Sequence, residues 1–193
     1  MKFIKYLLTG VLLACSNQLL AAWTLDNTAS QLNFLSVKKS QIVESHRFKN
    51  LSGFIDAQGN SSVSIDLASV ETNIPIRNER MQQYLFETSK FQTAVVSLKL
   101  PDGLLASLQT GTLKTLELDA KLDLHGQQQT IKTQVSVVKT QGKQLFVTSL
   151  QPVLINAADY SLIEGINKLQ ELAGLPSITY VVPVTFNLTF NAE

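Results

Sequence analysis

From Leu116 to Leu124, apolar and polar side chains alternate without a break. Leu116, Leu118, Ala120, Leu122 and Leu124 fall on one face, and Glu117, Asp119, Lys121 and Asp123 on the other. Period two belongs to a β-strand, whose side chains point alternately to opposite sides. One side of this strand must meet water and the other something apolar, which is the usual condition of an antiparallel sheet. Any fold open to the chain has to supply that apolar layer.

The same pattern recurs along the chain. Ser62 to Leu67 sets Val63, Ile65 and Leu67 against Ser62, Ser64 and Asp66, and Val96, Leu98 and Leu100 oppose Val95, Ser97 and Lys99. His125-Gly126-Gln127 turns the first strand into Thr130 to Val138, with Gln127-Gln128-Gln129 read as a solvated turn. Gln141-Gly142 then leads into Lys143 to Leu150. Ser177 to Phe190 aligns Ile178, Tyr180, Val182, Val184, Phe186, Leu188 and Phe190, and puts Pro183 outward as at an edge or bulge. Leu51 to Asp56 reads as a strand before a turn at Gln58 to Ser61. Ser30 to Lys38 carries apolar residues on both faces, Leu32 and Phe34 against Leu35 and Val37, so it is buried on both sides or bulged.

Two stretches break the alternation. Ser69 to Val96 is a charged run with Arg77 and Arg80, followed by a helical patch and by Tyr84, Leu85, Phe86 and Phe91. Arg77 and Arg80 share a face if Asn78 to Phe86 is helical. Gly165 to Ala173 has helical spacing and a Gly174–Pro176 stop. Regular hairpins with two short helical interruptions predict an up-and-down antiparallel barrel, with a closed sandwich as the alternative. About eight strands enclose room for side chains or for one small ligand. Periodicity does not separate a filled interior from one lined around a lipid.

Residues 1–22 have the layout of a secretory leader: Lys2 and Lys5, an apolar run Leu7 to Cys15, and a polar stretch ending in Ala21-Ala22. Cleavage before Trp23 is expected, leaving one domain over 23–193 in the periplasm. Leu12-Leu13-Ala14-Cys15 also resembles a lipobox, but lipidation at Cys15 would leave an apolar tether. Loss of Lys2 and Lys5 from 16 Lys+Arg against 15 Asp+Glu leaves a net charge of −1. That gives no field for nucleic acid. The leader also takes the one cysteine, leaving no thiol for disulfide, metal or nucleophile. The apolar run is too short for a stable membrane span, and a homodimer is compatible with the sequence.

Catalytic signatures are few. His46 and His125 are the two histidines, and Glu44 shares a strand face with His46. That pair could hold a metal or form an acid–base couple, yet a zinc site wants three protein ligands or more. Neither a nucleophile elbow nor a phosphate-cradling loop occurs. The chain is therefore read as a non-enzyme with no catalytic residue, metal site or cofactor.

Several segments resemble the YceI family. Trp23-Thr24-Leu25-Asp26 with Ala29 to Phe34 is similar to its opening strand pair, and His46 to Gly53 to its G-x-F-x-x-F-x-G region. Ser69-Val70-Glu71-Thr72, Arg77-Asn78, Met81, Leu85-Phe86-Glu87 and Phe91 resemble its S-V-x-T … R-D-x-x-L … F-F-D … Y-P block. Val181 to Phe186 is similar to the closing strand. Asn78 stands where the family usually has Asp, and Gln92 where it usually has Pro. The resemblance implies a lipocalin-like antiparallel β-barrel that holds a polyisoprenoid, or an isoprenoid quinone, as a bound lipid. It makes Ser69 to Val96 a mouth element and Gly165 to Ala173 a possible cap.

The expected tail-lining residues are Phe34, Phe48, Phe54, Ile65, Leu67, Met81, Leu85, Phe86, Phe91, Leu118, Leu122, Val184 and Phe186. Arg77 and Arg80 stand at the mouth, either as surface ion pairs or as orienters of a lipid head. The alternative is a packed barrel acting through its surface in interaction or stress response. A cavity under about 300 Å³ would favour it.

Overall fold

The computed structural model describes residues 21–193. Most of the expected leader, with Cys15, lies outside the described residues, and Ala21 and Ala22 open the first strand. The strand segments are β1 (Ala21–Leu25), β2 (Gln31–Lys38), β3 (Ile42–Phe48), β4 (Leu51–Asp56), β5 (Asn60–Asp66), β6 (Val70–Glu71), β7 (Thr93–Lys99), β8 (Leu113–Leu124), β9 (Gln127–Lys139), β10 (Gln144–Ser149), β11 (Val153–Asn156) and β12 (Val181–Ala192).

Several of these segments are halves of one interrupted strand. β1 and β2 lie end to end along one edge of β12, where Trp23 pairs with Ala192 and Phe34 with Val184. β10 and β11 share its other edge, through Leu145 with Phe190 and Val153 with Val184. β3 and β4 follow β2 and β1, β5 and β6 follow those, and β7 to β9 complete the meander. The result is an eight-strand antiparallel closed barrel, the lipocalin-like all-β class expected from the sequence. Closure through β12 pairs the backbone groups that an open sheet would leave at its edges.

Short side chains set the interruptions. Asp26 accepts from the backbone N–H of Thr28 and Ala29, and Asp66 from that of Ala68. Asn156 does the same for Ala158. Each carboxylate or amide offers the backbone a local turn in place of the ladder; after Asp26 and Asp66 the strand resumes, and after Asn156 the chain leaves the sheet.

Three helices close the ends: α1 (Pro75–Arg80), which runs on as a π-helical turn over Met81–Leu85, α2 (Leu104–Ser107) and α3 (Ile163–Leu172). α1, the π-turn and α3 lie at the end bearing the β2–β3 hairpin and the β8–β9 turn; α2 lies at the other. Pro75 opens α1, where its missing N–H costs nothing. α3 packs directly on the π-turn. A Cβ at Gly165 would stand 2.6 Å from the Tyr84 carbonyl oxygen and 2.8 Å from the Leu85 Cα, so this approach requires glycine.

Several local expectations need correction. Gln127 to Gln129 are not a turn but the start of β9, paired with Leu124 to Leu122 and exposed. Tyr180 precedes β12 and is exposed, because the inward row begins at Val182. Pro183, by contrast, faces outward as expected, opposite Leu154, where the register of β12 against β2 shifts between Val184–Phe34 and Ile178–Lys38. The two-faced strand is β2, whose Leu35 and Val37 are half-buried on the outer face. β6, β11 and α2 had no counterpart in the sequence reading, whereas β3 carries the strand face on which Glu44 and His46 were placed.

Candidate functional site

The inward rows enclose a cavity of about 260 Å³. Of the residues lining it only Ser61 and Thr133 are polar. Leu104, Leu105 and Leu108 floor it from the α2 region, and Leu85, Phe86, Leu162 and Ile166 roof it from the π-turn and α3. The volume falls just under the ~300 Å³ that marks the low end of small-molecule sites, on the side expected for a packed barrel.

Phe34, Phe48, Ile65, Leu67, Leu85, Phe86, Leu118, Leu122, Val184 and Phe186 all line this cavity. Three other expected lining residues do not. Phe54 is 43% exposed: β4 turns Leu51 and Ile55 inward, and the pleat sends Phe54 out beside Thr24 and Ser62. Met81 is buried in the core but off the cavity wall. Phe91 lies against the β8–β9 turn, its ring 4.3 Å from that of His125. The sequence reading named Leu85, Phe86 and the Gly165 to Ala173 cap of the roof but missed the floor. The usable signal for the floor was the i, i+1, i+4 spacing of Leu104, Leu105 and Leu108.

The two mouth arginines do not converge. Arg77 turns inward: Nη1 donates to Glu44 Oε2 at 2.9 Å and Nη2 to the Thr72 carbonyl at 2.7 Å. Arg80 donates to the Leu172 carbonyl at 3.2 Å, tying α1 to the end of α3. Both are half-buried, which replaces the picture of arginines outside the barrel. Both lie on α1 three positions apart, and their side chains separate because Arg77 reaches β3 and Arg80 reaches the end of α3.

Around Arg77 the inner wall is polar. Glu44 also accepts from Lys38 at 2.9 Å. The Lys38 hydrogen bond holds its carboxyl below the usual range, against an upward push from burial and with the Arg77 charge adding to the downward one. His46 is buried, with Nε2 3.0 Å from Ser36 Oγ. Burial, then the Arg77 charge, pushes its pKa down, so the ring is neutral near pH 7. Its ring stands 5.3 Å from Phe34, which stands 5.3 Å from Phe48, which is 5.7 Å from Phe86. This aromatic file leads from the polar mouth into the cavity. Glu44 and His46 do share a strand face, but two cations already engage the Glu44 carboxylate. Among the described residues no three His, Cys, Asp or Glu side chains gather as metal ligands.

Residues 23–190 match the family model described as the YceI-like domain. The chain belongs to the YceI family. A polyisoprenoid binding domain from Saccharophagus degradans, implicated in plant cell wall breakdown, is 43% identical. It superposes with a TM-score of 0.87 over 90% of this chain and 99% of that one. BcnA of Burkholderia cenocepacia, 17% identical, gives 0.67 over 86% of this chain and 98% of that one. The YceI protein of Campylobacter jejuni, also 17% identical, gives 0.57 over 81% and 90%. These two share the fold. No curated protein matches.

The Asn78 departure from the YceI pattern has a local reason. Asn78 Oδ1 accepts from Thr72 N at 2.9 Å and Thr72 Oγ1 at 2.6 Å, while Nδ2 donates to Glu71 Oε1 at 3.0 Å. An aspartate could accept from Thr72 but not donate to Glu71. In this YceI chain the partner of Arg77 comes instead from β3, as Glu44.

Proposed function

We propose that this protein is a non-enzymatic periplasmic carrier that holds a polyisoprenoid or an isoprenoid quinone along the barrel axis. The observation that carries the reading is the continuous apolar wall, floored and roofed by helices and broken only by Ser61 and Thr133. The polyisoprenoid-binding relative at 43% identity supports the same ligand class. At about 25 cal/mol per Å², covering roughly 600 Å² of tail returns about 15 kcal/mol gross. That leaves micromolar binding if association costs about 7 kcal/mol. Mass spectrometry under native conditions, on protein taken from the periplasm without detergent, tests it. A lipid adduct whose extract is a polyprenyl compound is expected. A homogeneous mass with no extractable lipid would overturn the reading. N-terminal sequencing of the same sample should begin at Trp23; a lipid-modified Cys15 would overturn the free-carrier part.

The cavity volume favours a second reading, a barrel packed shut that works through its surface. It requires the same purified sample to be lipid-free and the interior to reject added apolar bulk.

A further inference from the structure

We propose that the outer side of the mouth built by α1, β3, β2, β12 and β11 docks on an anionic lipid bilayer. Apolar side chains enter the head-group layer there, beside a lysine-tipped hairpin.

The outer wall of a barrel in water should be polar, and the outward row of β8 carries Glu117, Asp119, Lys121 and Asp123. β2 departs from this with outward Leu35 and Val37. Its neighbours extend the departure. Val43 of β3 pairs with Val37. The Thr179 N–H donates to the Val37 carbonyl at 3.0 Å and brings the approach to β12 alongside. On β12, Pro183 lies opposite Leu154 of β11, and Val181 opposite Asn156. On the other flank Arg77 reaches Glu44 at 2.9 Å, which seats the start of α1, with Ile74 and Ile76, beside β3. Ile42, Val43, Ile74, Ile76, Leu154 and Val181 are all exposed, Val43 by 58% and Leu154 by 65%. The five elements adjoin in that order, so these side chains form one belt, and a contiguous apolar belt marks an interaction surface.

The belt carries a prong. Lys39 and Ser40 both have positive φ, 52° and 59°, and the Gln41 N–H returns to the Lys38 carbonyl at 3.3 Å. That is the two-residue hairpin turn whose twist matches its strands. The Lys39 N–H donates to the Ser177 carbonyl at 3.1 Å, which ties the tip to the loop before β12. The Lys39 side chain is exposed and forms no ion pair among the described residues.

Charge selects the occupant. Residues 35–44, 74–80, 153–156 and 174–183 build the belt, and they hold Lys38, Lys39, Arg77 and Arg80 against Glu44 and Glu79. That leaves +2 on this side of a chain that carries −1 from Trp23 onward. A second copy paired across a two-fold axis would set this excess against itself. Anionic head groups complement it, and apolar burial adds to that attraction. Tyr180, next to Val181, donates its hydroxyl to Asn167 Oδ1 at 2.7 Å; a ring with one polar end suits the boundary between head groups and chains. The belt adjoins the roof of the cavity, so docking sets the mouth against the lipid surface. It does not depend on what the cavity holds.

The test mixes mature protein with vesicles of phosphatidylcholine, alone or with an equal part of phosphatidylglycerol, both free of isoprenoids. Sedimentation measures the bound fraction. Binding to the anionic vesicles should be about tenfold tighter than to the neutral ones. Val43→Glu and Leu154→Glu lie off the cavity wall. Each should weaken binding about tenfold and leave Tm unchanged. Lys39→Gln should lower the anionic preference about fivefold. Phe146→Glu, at an exposed apolar residue outside the belt, should leave binding as it is. If a glutamate variant does not fold by circular dichroism, the serine variant at the same position takes its place. No binding to anionic vesicles, equal binding to both kinds, or binding that survives both glutamate variants would overturn the docking. So would a protein that forms a dimer broken by Val43→Glu, which gives the belt to a second copy. Each of these outcomes leaves the lipid-carrier reading standing, and a lipid-free barrel leaves the docking standing.

Discussion

Ala120→Phe separates a lined barrel from a packed one, because the two predict opposite signs. Ala120 is 1% exposed, pairs with Ile131 and points into the cavity from β8. A phenylalanine there projects a ring into the about 260 Å³ space. If that space is open, the ring gains burial worth about 1.5–3 kcal/mol, less the strain of fitting it among the leucines of β8 and β9. A net gain of about 1–2 kcal/mol raises Tm by about 2–8 °C for a chain of this size. The ring also occupies the tail path, so polyprenyl binding falls at least tenfold. If the barrel is packed, the same ring overfills it and costs about 1–3 kcal/mol. Scanning calorimetry on delipidated wild type and variant measures the sign, and a vesicle-transfer assay measures binding. A Tm drop of several degrees, together with a wild type that takes up no lipid, would refute the reasoning and establish the packed barrel.

Gly165→Ala should loosen the roof, since its Cβ meets Tyr84 and Leu85 backbone at 2.6 and 2.8 Å. A loss of about 1–3 kcal/mol in urea unfolding, with faster lipid exchange, is expected. Asn78→Asp replaces a donor to Glu71 with a second carboxylate. The Glu71 pKa should rise from about 2 toward the ordinary 4.5, followed by carbon-detected NMR titration. Glu71 itself sets an acid limit. Hydrogen bonds from Asn78, the Asn73 N–H and Lys49 push it down to about 2, so its contribution is complete above about pH 4.5 and is lost as pH falls toward 2. His46 acts at milder pH. Its folded pKa lies below the unfolded 6.5, so stability should fall as pH drops below 6.5 in the wild type, and His46→Leu should flatten that slope in chemical unfolding.

Strand content was legible because pleating is local. The alternation of Leu116 to Leu124 and of Val182 to Phe190 names the inward residues without reference to any partner, and nearly all of those rows line the cavity. Phe54 shows where this stops. Leu51 to Asp56 has apolar residues at both parities, and only pairing with Thr24 and Ser62 decides that Ile55 points in. The helix phase after Arg80 was equally out of reach, since a π-turn is a response to packing against α3.

The sequence by itself determined a set of antiparallel strands, each with one apolar face, and the family to which they belong. It could do so because side-chain period and motif spacing are properties of neighbouring residues. The tertiary structure alone decided that β12 closes the ring through two strands on each edge, and that α2 and α3 seal the ends. It also decided that Ser36, Lys38, Glu44, His46 and Arg77 meet at one level of the wall. Those facts depend on register between residues far apart in the chain, where a shift of one position turns every side chain to the other face.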